Sequence, residues 1–414
     1  MMAEKRMVPE IRFAGFEGEW EEKQLEEICA TFIDGDWIES KDQSSEGIRL
    51  LQTGNVGVNQ FVDKADKSKW ISLDTFFRLK CEEVFPGDML ISRLPEPAGR
   101  ACIVPDIGQR MITAVDCTIV RLNEKSSAKY VVQYLSSMDY FNEVNDFLAG
   151  GTRQRISRSN LASFVVPTPP TRNEQEHVGK LLGNLDNLID AQQRKVDKLA
   201  VVKKAMLEKM FPKDGANVPE IRFAGFSGKW VRRRVGELLT ERNIQSPQDG
   251  EYPLMAFIAY EGVAPKGERY NRDFLVNDKA NKKYKRTEYG DFIYSSNNLT
   301  TGSIGLNNYG KASISPVYSI FQTTDLSEPN FIGRLMTRKS FIDEMVCWRQ
   351  GVVYGQWRIH ESDFVQIETM APSLLEQSAI GTYFRTLDRL TTLQTQKLAK
   401  LKTIKQALLA KMFV

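Results

Sequence analysis

Two short segments stand out for what their side chains can do. Gly150 to Arg158 holds Thr152, Arg153, Gln154, Arg155 and Arg158, with three arginines and no acid. Arg349 to Arg358 holds Arg349, Gln350, Tyr354, Gln356, Trp357 and Arg358. Arginine reaches guanine, and glutamine adenine, by paired hydrogen bonds to base edges in the major groove, so both segments are candidate readers of duplex DNA. Gln52, Asn55 and Arg93 carry the same amide and guanidinium groups and join them as candidate contacts. A basic run of Lys279, Lys282, Lys283, Lys285 and Arg286 has compact charges suited to phosphate, with Lys282 and Lys283 the candidates taken from it. A solvated loop is the other reading of that run. The net charge is only +3, from 56 bases and 53 acids, so the distribution of charge must carry the argument.

Other chemistries find little support. Gly305, Gly310 and Lys311 have P-loop spacing, but Ala312 stands where the magnesium-binding hydroxyl belongs, and Ile314 to Val317 reads as a strand where a helix is needed. A hairpin turn is the plainer expectation there. Thr168-Pro169-Pro170-Thr171 lacks the acidic or amide opener and the aromatic closer of an amino-methylating motif. Glu39-Ser40-Lys41 has no Pro-Asp partner upstream and reads as a surface loop. His177 falls in the first turn of a helix, facing solvent or packing; His360, near Arg358, is structural or touches a phosphate. No paired carboxylates or metal-ligand cluster emerges, so the chain reads as a non-enzyme with no metal or cofactor of its own. Five scattered cysteines without C-x-x-C spacing read as reduced thiols of a cytoplasmic protein. No run of about 18 apolar residues suggests a membrane span, and Met1 to Pro9 lacks the apolar core of a secretory signal.

Something must position these segments, and the chain supplies it twice. Val8 to Trp20 (VPEIRFAGFEGEW) recurs as Val218 to Trp230 (VPEIRFAGFSGKW), with 11 of 13 positions identical at an offset of 210. Glu174 to Phe211 recurs as Glu376 to Phe413, with 16 of 38 identical at an offset of 202. Two long copies mean a duplication and not a solenoid. Between the repeated ends only a small anchor survives, Gly87-Asp88-Met89-Leu90-Ile91-Ser92 against Gly290-Asp291-Phe292-Ile293-Tyr294-Ser295. Leu50 to Asn55 has no obvious counterpart near Tyr252 to Met255. A duplicated frame therefore carries two unlike inserts, roughly 21–170 and 231–372.

The inserts read as mixed α/β, with short strands such as 89–92, 112–120, 292–295 and 317–321, and helices over 128–144 and 329–346. Pro167, Pro169 and Pro170 close the first insert. Thr171-x-x-Glu174 and Ser373-x-x-Glu376 are matching capping boxes, and each opens a helix of about 38 residues, about 57 Å long. Spacing of three and four selects a seam of Leu185, Leu188, Gln192, Lys195, Leu199, Val202 and Met206. In the second helix it selects Leu387, Leu390, Gln394, Lys397, Leu401, Ile404 and Leu408. The pattern predicts an antiparallel coiled coil with polar register layers. The alternative is two helices packed on their own domains, with Val196 and Leu398 taking over the seam as the period drifts. The expected architecture is α+β: two mixed α/β recognition domains separated by two long paired helices, related by a pseudo-twofold repeat. Its segments are a first domain 1–173, a helix 174–211, a linker 212–217, a second domain 218–375 and a helix 376–414.

The order of these parts resembles the specificity subunit of type I restriction–modification systems. The likeness is carried by the Gly-Asp-x-Leu/Ile-x-Ser anchors, the Pro169-Pro170 and Ala371-Pro372 stops, the Glu-Gln helix starts and the PEIRFAGF-x-G-x-W openings. The resemblance implies that each variable domain reads one half of a split, asymmetric DNA site, with the helix pair as the ruler for the spacer. It implies two modification (methyltransferase) subunits that bring S-adenosylmethionine and methylate adenine, and endonuclease/translocase subunits that use ATP and Mg. Two other readings stand beside it: a single-chain methyltransferase or nuclease with an unrecognised site, and a coiled-coil scaffold that does not bind DNA. Val352-Val353 interrupts the second Arg/Gln segment and puts its base-reading residues in doubt.

Overall fold

The repeated opening stretch becomes a clasp on the start of each long helix. The computed structural model describes residues 7–148, 154–213, 215–247, 249–265, 283–352 and 356–414. They fall in two compact units, Met1–Arg194 with Gln396–Val414, and Lys195–Thr395. In the first unit Arg12 donates from Nε to Glu174 Oε1 at 2.7 Å and from Nη2 to Oε2 at 2.9 Å, and its other donors serve the Gly18 and Glu17 carbonyls. Trp20 Nε1 donates to the same carboxylate at 3.3 Å. In the second unit Arg222 holds Glu376 at 2.7 and 2.6 Å, with Trp230 Nε1 at 3.4 Å. Glu174 and Glu376 are both buried, and a charge there is stable only because donors surround it. The capping boxes are therefore half formed. Thr171 Oγ1 and Ser373 Oγ accept the Glu174 and Glu376 amides at 3.3 and 3.4 Å, while the glutamate side chains turn to arginine instead of back to the cap.

The helices run over Arg172–Lys209 and Leu374–Met412, 38 and 39 residues, without the break that a proline would impose. Gly179 and Gly381 occupy the same turn of each. A Cβ on Gly179 would lie 2.6 Å from the Lys129 carbonyl carbon, and one on Gly381 would lie 3.1 Å from Asn330 Cβ, so glycine lets a shorter helix cross close by.

Within each unit the start of one long helix meets the end of the other. In the first, Asp186 accepts from Asn59 Nδ2 at 2.5 Å, from Gln133 Nε2 at 2.8 Å and from Lys405 Nζ. Leu409, Met412 and Phe413 join Val178 and Leu182 in its main core. In the second, Asp388 takes Lys203 Nζ at 2.6 Å together with Arg334, and Met210 and Phe211 join Ile380 and Phe384. Numbering rises along one helix as it falls along the other, so the helices are antiparallel, as the sequence predicts. The seam differs in detail. Leu185 and Leu387 are buried, and Leu199, Val202 and Leu401 are half-buried, but Leu188, Leu390 and Ile404 are 58%, 43% and 40% exposed. Leu398 is buried in place of its neighbours, and Lys195 and Lys397 face solvent. A 3.6-residue helix drifts off a 3.5-residue stripe, and these helices have domain surface to pack against on more than one side.

The sheets separate what is shared from what is not. Strands Cys29–Asp34, Cys117–Leu122, Met89–Ser92 and Ala101–Ile103 form a four-stranded sheet in that order. Leu239–Glu241, Ser319–Thr323, Phe292–Tyr294 and Ile304–Leu306 form its equivalent in the second unit. Gly87 and Gly290 precede the shared central strand at φ 94° and 89°, where a side chain would be strained. Asp88 and Asp291 next to them accept the Phe85 and Glu288 amides at 2.9 and 2.7 Å, which closes the turn. The other sheets diverge: Gln43–Ser44, Lys69–Ile71, Ile48–Leu51 and Met111–Thr113 in the first unit, with one parallel pair, against Gln245–Ser246, Tyr284–Thr287 and Ala312–Ile314 in the second. The expected run 112–120 is thus two strands of different sheets. The Gly305–Lys311 turn likewise links two sheets instead of forming a hairpin. Both predicted insert helices break in two, into Ala128–Tyr134 with Met138–Asp146 and Pro329–Met336 with Lys339–Cys347. In the first pair Ser137 Oγ caps Tyr140 N at 3.2 Å, a bond that a continuous helix would forgo.

Candidate DNA interface

The two Arg/Gln segments occupy equivalent places. Arg155 precedes Ile156, which is fully buried and donates its amide to the Arg93 carbonyl at 3.0 Å. Arg358 precedes Ile359, also buried, whose amide donates to Ser296 Oγ at 3.0 Å. Arg93 and Ser296 both follow the shared central strand. A short helix then begins, capped by Ser157 Oγ accepting Asn160 N at 3.0 Å in one unit, and by the His360 backbone in the other. A buried isoleucine therefore pins each segment, and the residues just before it stay in solvent.

In the first unit Gln154, Arg155 and Arg158 are exposed, and Arg155 Nη1 lies 3.7 Å from Asp116. In the second, Gln350–Val352 pairs antiparallel with Gln356–Arg358, so Gln350 faces Arg358 across a hairpin. Gln350, Gln356, Trp357 and Arg358 are exposed, and Asn297 Oδ1 accepts the Trp357 amide at 2.6 Å, which steadies one strand. Val353, half of the Val352-Val353 interruption, lies outside the described residues. Arg349 is half-buried, and its Nε and Nη2 have no hydrogen-bond partner among the described residues. Burial lowers its pKa. Thr152, Arg153, Tyr354 and Lys282 lie outside the described residues.

Two of the candidates, Asn55 and Arg93, are buried in the fold, and Gln52 is half-buried. Asn55 is buried, its Oδ1 accepting Gln52 N at 2.9 Å and its Nδ2 donating to the Val62 carbonyl at 2.9 Å, so it holds a turn. Gln52 beside it is half-buried, with its backbone in that turn. Arg93 is also buried, donating to the Val115 carbonyl at 2.7 Å and lying 3.4 Å from Asp34. Desolvation is the main force lowering its pKa, and Arg155 and Arg158 push the same way, so it underlies the reading segment without facing out. From the basic run, Lys285 is buried on its strand and donates to the Tyr318 carbonyl at 3.0 Å, and Arg286 reaches Ser246 and Asp249. Lys283 remains exposed.

Arg100 was missed. Its guanidinium donates to the Val56, Leu94, Pro97 and Thr53 carbonyls at 2.6 to 2.8 Å and ties two loops of the first unit together. Nothing local in sequence marks it. The Asp186 and Asp388 hubs could have been found from the pairs Leu185-Asp186 and Leu387-Asp388, which match at the offset of 202, and from the lysine shared at 203 and 405. His177 packs edge-on against Phe13 and Phe16, and His360 caps a helix through its carbonyl, both structural roles. Burial raises the Cys29 and Cys102 thiols to about 12, too high for a nucleophile. Among the described residues no group of three or more His, Cys, Asp or Glu could hold a metal, and no helix is long and apolar enough to cross a membrane.

Residues 17–200 match the family described as the type I restriction modification DNA specificity domain. A protein of Methanocaldococcus jannaschii, provisionally named a type I restriction enzyme MjaX specificity subunit, is 23% identical over 210 residues. That match covers 47% of this chain and 46% of the relative, so it spans about half the length of the curated protein. The fold is that of a type I restriction-modification S subunit from M. genitalium, with TM-score 0.64, 14% identity and 99% of each chain covered. A chain from a structure on assembly and conformational transition of the type I R-M system matches at TM-score 0.51 and 17% identity, over 96% of this chain and 98% of that one.

Proposed function

We propose that the chain is the non-catalytic DNA-specificity subunit of a type I restriction–modification complex. Each unit reads one half of a bipartite, asymmetric site. The observation that carries this is the pair of readers: the same buried isoleucine pin presents Gln154 and Arg155 in one unit and Gln356, Trp357 and Arg358 in the other. One frame with two unlike sets of donors is what two different half-sites require. The long helices set the spacer between the half-sites. Two methyltransferase subunits bring S-adenosylmethionine and modify adenine, and endonuclease subunits using ATP and Mg complete the assembly. Flipping the target base belongs to the methyltransferase partner.

The test is the adenine methylome of the host with and without this gene. A bipartite motif methylated on both strands should vanish on deletion. Methyl transfer by the purified chain alone, given S-adenosylmethionine and DNA, would overturn the non-catalytic assignment. Inserting four residues, about one turn, into one long helix should change the spacer or abolish modification; an unchanged spacer would remove the helices from that role.

A further inference from the structure

We propose that a cationic cavity in the second unit docks the phosphodiester backbone of nucleic acid. The proposal rests on the DNA reading above and adds an anchor outside the reading segments. The cavity, of about 520 Å³, lies between the last turns of the first long helix and the turn that joins Pro329–Met336 to Lys339–Cys347. Its walls carry Lys203, Lys204, Arg334, Arg338 and Lys339, against Glu208 as the acid among the lining residues.

The surplus of charge is built in. Asp388 takes both Lys203 and Arg334, so one carboxylate answers two cations. In the first unit Asp186 meets one cation, Lys405, and two neutral amides from Asn59 and Gln133. The shared frame makes the comparison position by position. At Lys204, Arg334, Arg338 and Lys339 of the second unit, the first unit has Gln406, Gln133, Ser137 and Met138. Lys203 alone keeps its charge, as Lys405. Lys339 also pairs with Asp343 on its own helix at 2.5 Å. But the hub folds without the extra cations, so its packing does not require them, and gathering them in one place carries a cost that an arriving anion would relieve. The helix rim adds to this. Ser137 Oγ accepts the Tyr140 amide at 3.2 Å, whereas Arg338 at the same point gives its helix no side-chain cap. Burial and the nearby Arg334 also lower the Lys203 pKa, so an anion arriving beside it would favour its charged form. Several donors around a space larger than one phosphate group suit a stretch of backbone, which brings a charge every ~1.7 Å of duplex.

The experiment uses the full chain, a random-sequence 30-bp duplex and a KCl series, with Lys204→Gln/Lys339→Gln as the variant and Lys400→Gln/Lys402→Gln on the second helix as the charge-matched control. Thermal unfolding confirms that both stay folded. The expected result is a plot of log K against log [KCl] shallower by about 2 for the cavity variant alone, with preference for the methylated motif retained. An unchanged slope while wild type binds DNA overturns the cavity and leaves the DNA reading standing. Equal loss in the control shows diffuse surface charge and also overturns it. An unchanged slope with lost binding of the methyltransferase partner assigns the cavity to an acidic protein surface instead. Failure of wild type to bind any duplex overturns both readings.

Discussion

The clasp and the reader lie in the same unit and follow opposite rules. At the clasp, both copies keep the same residues in the same geometry: an arginine fork, a tryptophan and a buried glutamate. At the reader, the geometry is kept by Ile156 and Ile359 while the residues before them change. A buried carboxylate admits few substitutes, because removing any donor leaves charge in a poor solvent. An exposed side chain held by a neighbour's burial can change freely without cost to the fold. Duplication followed by divergence is therefore constrained at one place and open at the other.

That contrast can be broken in four ways, from the largest effect down. Glu174→Ala and Glu376→Ala should each destabilise by about 3 kcal/mol, since each leaves a largely buried arginine without its partner. Denaturant unfolding of both variants checks this, and a difference of more than ~1 kcal/mol between them would show that the clasps are not equivalent. At the reader, Arg155→Ala and Arg358→Ala should each cost about 1–3 kcal/mol of discrimination, at one half-site only. Competition binding with each half-site scrambled in turn measures it, and equal loss at both halves would defeat the two-reader scheme.

The hubs come next. Asp186→Asn should lose about 1–2 kcal/mol, because Lys405 keeps only a neutral acceptor where Asn59 and Gln133 remain. Asp388→Asn should lose more, leaving Lys203 and Arg334 facing each other. Thermal melts in low and high salt would separate them: added salt should recover more of the Asp388 loss than of the Asp186 loss.

The smallest effect is one of pH and is expected in the first unit. Burial is the main force raising Asp36 to about 6, against donation from the Glu82 amide. The native state then holds a proton that the unfolded chain releases near pH 4. Stability from this group is full below that value, falls as pH rises toward 6 and stays lower above it. Asp36→Asn should therefore stabilise at pH 7.5 by about 1 kcal/mol, discounted because the group is half exposed, and give no gain at pH 4. A gain independent of pH would mean that the carboxylate is not the cause.

Much of this was legible in the chain. The identical openings and helix starts gave the duplication, and two uninterrupted stretches from Glu174 and Glu376 gave the long helices. The Arg/Gln content of the reader segments needed no structure to be noticed. Less legible were the roles of single polar residues. Asn55, Arg93 and Lys285 have the same chemistry as the exposed candidates, and only their burial removes them from the surface.

By itself, the sequence determined the repeat, the helix lengths, the antiparallel expectation and the place of the two Arg/Gln segments, because periodicity and identity are local properties of a string. The tertiary structure alone decided that Glu174 answers Arg12, that Asp186 answers Lys405, and that the seam moves from Leu390 to Leu398. Those outcomes depend on which charges lose water together and which helical face finds a neighbour. Such partners are set by distances in space between residues up to 219 positions apart.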